Sequence, residues 1–154
     1  DEIELIQTPA CRIVWMEDAL YLKSFLDMEP SIRRLEQSQR EAVVFLGKVG
    51  VGISKEHLEA GQFSRYDCAF LLLDREDRFD GETHELPETL CARIRFRGSH
   101  PQAGAAYEKL LAFLRAHHFT ISGFSREVTL IDNGLTDDPG KFVTEISLPV
   151  CPAE

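Results

Sequence analysis

Two runs near the C-terminus alternate apolar and polar residues: Ser125-Arg-Glu-Val-Thr-Leu-Ile131 and Phe142-Val-Thr-Glu-Ile-Ser-Leu148. Between them, residues 132–141 (Asp-Asn-Gly-Leu-Thr-Asp-Asp-Pro-Gly-Lys) hold a dense cluster of turn formers. Period-two runs on either side of such a cluster predict a β-hairpin with a long loop. Symmetric pairing about the loop sets Glu127 opposite Glu145, Thr129 opposite Val143 and Ser125 opposite Ser147. Val128, Leu130, Ile146 and Leu148 then share the other face, which reads as core. A slip of one residue would turn every side chain over, so this register carries the argument. It also places two carboxylates about 4.5–5.5 Å apart, an arrangement that destabilises a sheet unless something positive sits between them.

Upstream, Ile3 to Ile6 and Cys11 to Met16 read as one entry strand. Glu29-Pro30 starts a helix running to about residue 42, with Ile32, Leu35 and Ala42 on its stripe. Val43-Val-Phe-Leu46 is β-rich and leads into Gly47-Lys-Val-Gly-Val-Gly-Ile53. Those glycines lack the strand, loop and helix order of a phosphate-binding loop. Cys68 to Leu73 is an uninterrupted apolar strand, Asp74 to Glu88 a charged loop, and Thr89 to Arg97 an alternating strand. On that strand Ala92, Ile94 and Phe96 point one way, and Arg93, Arg95 and Arg97 the other. The best helix spans Gln102 to His118, with Ala103, Tyr107, Leu110, Leu111 and Leu114 on one stripe.

The order is strand, helix, strand, strand, given twice, in halves of about 1–88 and 89–154. This predicts an α+β fold in a single domain over 1–154, with two tandem strand-helix-strand-strand modules. Their antiparallel sheets flank a central cleft, a usual place for a ligand.

With 154 residues the chain is long enough to bury a core, and 44% hydrophobic with 28% charged residues describes a soluble globular protein. A net charge of −9 repels a phosphate backbone, so nucleic-acid contact by these residues is not expected. There is no apolar run of membrane-spanning length and no signal peptide, which predicts a cytoplasmic protein. The chain opens at Asp1 without a Met, as a fragment or processed product would. Cys11, Cys68, Cys91 and Cys151 are widely spaced and without zinc-ligand partners. They read as buried, reduced thiols, with no metal and no cofactor assigned.

Several motifs are similar to a known family: Arg95-x-x-Gly98-Ser99, Tyr107-Glu-Lys-Leu110, Gly123 to Glu127, and Thr144-Glu-Ile-x-Leu-Pro-Val150. Together they resemble the gyrase-inhibitor-like (GyrI-like) effector-binding domain found in the C-terminal half of MerR-type and some AraC-type transcription regulators. The resemblance follows the element order of nearly the whole chain, with the specific motifs from about residue 89 onward. It implies two tandem modules around a cleft for a bulky, often cationic, aromatic effector, as in multidrug sensing. Acidic residues on the last two strands would face that cleft, and by motif position these are Glu127 and Glu145. DNA would be read by a helix-turn-helix upstream of these residues, in a homodimeric regulator. Trp15, Tyr107, Phe45 and Phe70 are the candidate aromatic walls, through area burial and cation–π attraction.

Other readings stand beside these. Either glutamate would be an ordinary solvent-facing strand residue if paired with Arg93 or Arg95. Trp15 suits a core equally well, and Tyr107 would pack between helix and sheet with its hydroxyl at the cleft. No catalytic residue is assigned, since no nucleophile elbow, trusted Ser-His-Asp order or metal triad is present. Some relatives of the fold are hydrolases of reactive small molecules that use an aromatic residue and a Glu, and the namesake binds another protein. Those are the alternatives to an effector sensor.

Overall fold

The computed structural model describes residues 2–16, 49–73, 83–98, 102–131 and 142–154. The helix expected over 30–42, the turn at 99–101, the hairpin loop and Phe45 lie outside them. Along the described chain run β1 (Glu4–Thr8), β2 (Cys11–Met16), β3 (Val49–Gly52), α1 (Lys55–Glu59), β4 (Cys68–Leu73) and β5 (His84–Leu86). Then follow β6 (Thr89–Arg97), α2 (Ala103–Ala116), β7 (Phe119–Ile121), β8 (Arg126–Ile131) and β9 (Phe142–Pro152).

The strands form an antiparallel sheet in the order β1-β6-β9-β8-β3-β4-β2-β5, and β7 pairs with β9 off this path. Only Pro9 and Ala10 separate β1 from β2, yet these strands lie near opposite ends of the order. Pro87 and Glu88 likewise join β5 at one end to β6 near the other. Two-residue links across a sheet this wide are possible only if the sheet curls its ends together, and it does so as a half-barrel. The prolines fit the corners, where a missing N–H costs the ladder nothing.

Residues opposite each other in neighbouring strands point to the same side of a sheet, so the register sorts the side chains. One row runs Trp15, Phe70, Gly50, Val128, Glu145, Arg95, and the next row on the reverse side runs Ala69, Val51, Glu127, Ile146, Ile94. The reverse side packs against the helices. There Ala92, Ile94, Ile146, Leu148 and Val150 meet Ala103, Ala106, Tyr107, Leu110 and Leu114 of α2, with Leu58 of α1. Each fully buried Leu or Ile contributes about 1.5–3 kcal/mol. The apolar stripe of α2 matches the sequence periodicity, and the helix stops before His118, which adopts φ 60.

The Trp15 side is the inner, concave one. Strands β2 and β8 lie three places apart, roughly 14 Å in a flat sheet. Across this span the Trp15 ring on β2 lies 5.4 Å from the ring of Phe124, just ahead of β8, as it does when the sheet bends toward this side. Ile13 and Phe70 of the inner face are fully buried.

The hairpin forms, one residue out of the expected register. Ile131 pairs with Phe142, Glu127 with Ile146 and Val128 with Glu145. Ile146 and Leu148 are claimed by the core under α2, and their face is the one that carries Glu127. The alternation misled because both faces of this curled sheet are at least partly covered: Val128 is half-buried on the inner face, while Ile146 is fully buried on the other.

Three short elements were not expected. α1 is capped by Ser54, whose hydroxyl accepts from the His57 backbone N–H, and it is followed by Gly61 at φ 76. β5 lies in the charged stretch before Pro87, and β7 follows α2. The cysteines are all free, but only Cys91 is fully buried. Cys11 and Cys68 are half-buried and Cys151 is exposed, against the expectation that all four would be inside. Burial of Cys68, with Asp67 next to it, pushes its thiol up to about 11. Among the described residues no helix is long and apolar enough to cross a membrane.

Candidate ligand-binding site

Glu127 is the centre of the site, a carboxylate with 0% of its surface exposed on the helix side of β8. Tyr66, just before β4, donates its hydroxyl to Oε2 at 2.6 Å. Tyr107, on the buried stripe of α2, donates to Oε1 at 2.8 Å. Each oxygen thus accepts a phenol hydrogen bond.

Behind Tyr107 the chain of donors continues. Ser125 Oγ accepts the Ile53 N–H at 2.9 Å and lies 2.9 Å from the Tyr107 hydroxyl. Because Tyr107 has one proton and gives it to Glu127, Ser125 must donate to Tyr107. Every proton in the series therefore points toward Glu127, and such aligned bonds strengthen one another. Burial, with the Glu127 charge beside it, pushes the Tyr107 phenol well above its ordinary range, which keeps it a donor.

The backbone makes this possible at two glycines. A Cβ on Gly52 would stand 2.3 Å from the Ser125 carbonyl oxygen, so only glycine lets β3 approach the start of β8. Ser125 N then reaches Ile53 O at 3.0 Å, fixing Ser125 under Tyr107. A Cβ on Gly50 would lie 2.5 Å from the Phe70 ring, which occupies that space on the inner face. Gly50 and Gly52 of the glycine run are there for packing.

Phe63 stacks on the Tyr107 ring with centroids 5.6 Å apart and planes within 11°. Phe63 and Tyr66 both belong to the connection between α1 and β4. This connection is pinned by Asp67, which accepts from Ser54 N at 2.8 Å and pairs with His57 Nδ1 at 2.7 Å. Burial alone would raise the Asp67 carboxyl, but the Ser54 and His57 contacts outweigh it and hold it below its usual range.

The residues expected at the site separate into two groups. Tyr107 and Glu127 are joined by the 2.8 Å hydrogen bond on the helix side of the sheet. Glu145 does not join them: it lies on the opposite face of the sheet, with Oε2 2.7 Å from Arg95 Nε. This is the arginine-paired alternative, and the proposed acidic pair does not form. Trp15 and Phe70 also take the inner face, where they form an aromatic cluster with Phe124 at centroid distances of 5.4–6.0 Å. They are not walls of the Glu127 site. Tyr66, Ser125 and Phe63 were missed. The sequence signal for the first was Tyr66-Asp67 ahead of an apolar strand, and for the second Ser125 two residues before Glu127. No group of three or more metal-binding side chains occurs among the described residues.

The fold is a half-barrel of antiparallel strands backed by helices, with a buried polar centre on the helix side. The chain belongs to the GyrI-like small molecule binding domain family, whose model matches residues 2–150. No curated protein matches at the sequence level.

Among solved structures, the chain is similar to the EcmrR C-terminal domain at TM-score 0.63 and 16% identity, covering 99% of this chain and 98% of that one. Against EcmrR in an EcmrR–DNA complex the TM-score is 0.64 at 14% identity, and the match covers 99% of this chain but 58% of that chain. SAV2435 bound to tetraphenylphosphonium matches at TM-score 0.53 and 14% identity, over 98% of this chain and 94% of that one. A hydrolase from Listeria innocua matches at 0.57 and 12%, over 97% and 92%. At these identities the likeness is one of fold.

Proposed function

We propose that this chain is the effector-binding domain of a MerR-type transcription regulator and holds a bulky aromatic cation over Glu127. The observation that carries the reading is a fully buried carboxylate gripped by two tyrosine hydroxyls beneath stacked aromatic rings. A delocalised cation complements a carboxylate in charge and aromatic rings in shape, and cation–π attraction adds about 0.5–2 kcal/mol per ring. The tetraphenylphosphonium complex of SAV2435 supports the ligand class by analogy of fold. The EcmrR–DNA complex supports a DNA-reading segment beyond the part matched here. In this reading β3 and β8 mark the seam between two strand-helix-strand-strand modules, and the cleft lies on the helix side of that seam.

Because Glu127 is closed off, entry of a ligand requires the α1–β4 connection to move and Tyr66 to leave its hydrogen bond. Ligand binding and the position of this connection are then linked. That link is the means by which occupancy would bias the rest of a regulator, with couplings of roughly 1–3 kcal/mol typical of allostery.

A thermal-shift comparison of tetraphenylphosphonium with neutral triphenylphosphine oxide tests the ligand class. The cation stabilises wild type selectively, and Glu127→Gln loses the selectivity. Equal responses to both compounds would remove the carboxylate from recognition.

A second reading follows from the same Glu–Tyr contact. Glu127 as a general base beside the Tyr66 or Tyr107 phenol as an acid is a pairing suited to hydrolysis of a reactive small molecule, and the Listeria hydrolase shares the fold. Mass spectrometry of incubated electrophilic compounds separates turnover from binding.

A further inference from the structure

The inner face of the sheet carries a charge pattern that the Glu127 site does not use. Arg126 lies opposite Ser147 on β9, Ser147 opposite Arg93 on β6, and Arg93 opposite Glu4 on β1, all on the concave side. Glu4 binds Arg93, with 3.2 Å between Oε2 and Nη2. One step along the strands, Glu145 binds Arg95 at 2.7 Å. The two acids nearest to Arg126 on these strands are therefore already committed. What faces Arg126 directly is the hydroxyl-bearing Ser147, only 7% exposed.

Arg126 itself is half-buried, and its Nε is fully buried without a hydrogen-bond partner. A buried donor on a charged group left without an acceptor is a costly defect, and native structures rarely keep one without a use. The thiols of Cys11 and Cys91 lie within reach of its charge. Both are pushed up by burial, Cys11 further by Glu85, while Arg126 pulls against them; as neutral thiols they do not balance it. A guanidinium in this state presents a planar fork of donors matched to two oxygens of an oxyanion.

We propose that Arg126 is the centre of an anion-binding site on the inner face of the sheet, taking the carboxylate or phosphate group of a small molecule with Ser147 as a second donor. The site is independent of the Glu127 reading. The two residues are neighbours on β8 but project to opposite sides of the sheet, so one strand carries an acid for one face and a base for the other.

The test uses sodium benzoate and inorganic phosphate, each titrated against chloride at equal ionic strength, and follows the Arg126 Nε–H resonance by NMR together with the thermal midpoint. A saturable shift of that resonance with either anion is expected, and whichever anion gives it identifies the group as carboxylate or phosphate. Arg126→Gln abolishes the response. Arg126→Lys keeps the charge but loses the fork, and weakens binding about ten- to a hundredfold. The proposal is overturned if neither anion gives a saturable shift, or if the anions raise the thermal midpoints of Arg126→Lys and Arg126→Gln as much as that of wild type.

Discussion

Replacing Tyr107 with Phe removes one oxygen from a chain of four hydrogen-bonded groups and leaves the ring in its stack with Phe63. In the folded protein that oxygen donates to Glu127 Oε1 at 2.8 Å and sits 2.9 Å from Ser125 Oγ. A hydrogen bond to a charged acceptor contributes about 1.5–3 kcal/mol and a neutral one about 0.5–1.5. Both deserted partners stay buried, so Tyr107→Phe should cost about 2–4 kcal/mol. Urea denaturation at neutral pH reads the loss.

The cost belongs to this network only if it depends on Glu127. In a Glu127→Leu background the same change forfeits the Ser125 contact alone, and its cost falls to about 1 kcal/mol. The double-mutant cycle should therefore give a coupling of about 1–3 kcal/mol. If Tyr107→Phe costs the same in both backgrounds, the hydroxyl is not bound to Glu127 and the proton order derived above is wrong.

Two further outcomes follow. The folded protein holds the Tyr107 proton to higher pH than the unfolded chain does, since burial raises the phenol well above its ordinary value of 10.0. Above that pH the native state binds more protons, so stability is unaffected below it and falls as pH rises past it. Tyr107→Phe should flatten this alkaline limb in urea midpoints taken across it, and an unchanged limb would assign it elsewhere. Gly52→Ala places a Cβ 2.3 Å from a backbone oxygen, which cannot turn aside as a side chain can. Forcing β3 from β8 should cost about 1–3 kcal/mol or more and weaken ligand binding, because Ser125 moves with the strand. A variant of wild-type stability and affinity would contradict the close approach.

What the sequence made legible depended on whether an element had one covered face or two. The stripe of α2 has a single covered face, so Ala103, Tyr107, Leu110 and Leu114 were readable from spacing alone. The apolar run Cys68 to Leu73 became β4, paired on both edges as a central strand should be. β8 and β9 are covered on both sides, and there the alternation fixed the strands but not which side each residue took. The one-residue slip followed from that, moved Glu145 to Arg95, and dissolved the acidic pair. The motif around Gly123 singles out Glu127 whatever its partner across the hairpin, and in the structure that carboxylate is fully buried.

The same logic sorts the aromatic residues singled out in the sequence. Trp15 and Phe70 are large and sit in paired strands, but parity sends them to the inner face. Tyr107 was recognisable because a phenol on a core-facing stripe needs a buried partner. Tyr66 has no such context in sequence: it lies in a connection whose path is set by the Ser54, His57 and Asp67 contacts. The curl of the sheet was hidden in Pro9-Ala10 and Pro87-Glu88, which look like ordinary turn residues until the strand order shows what they join.

The central claim is that a cationic aromatic ligand takes its place against Glu127 between Tyr66 and Tyr107. Titrating tetraphenylphosphonium into protein carrying isotope-labelled tyrosine rings reads this contact directly. The account predicts saturable ring-current shifts at Tyr66 and Tyr107, with the Tyr66 signal reporting loss of its hydrogen bond to Glu127. Binding that saturates while both rings stay unmoved would place the ligand somewhere else.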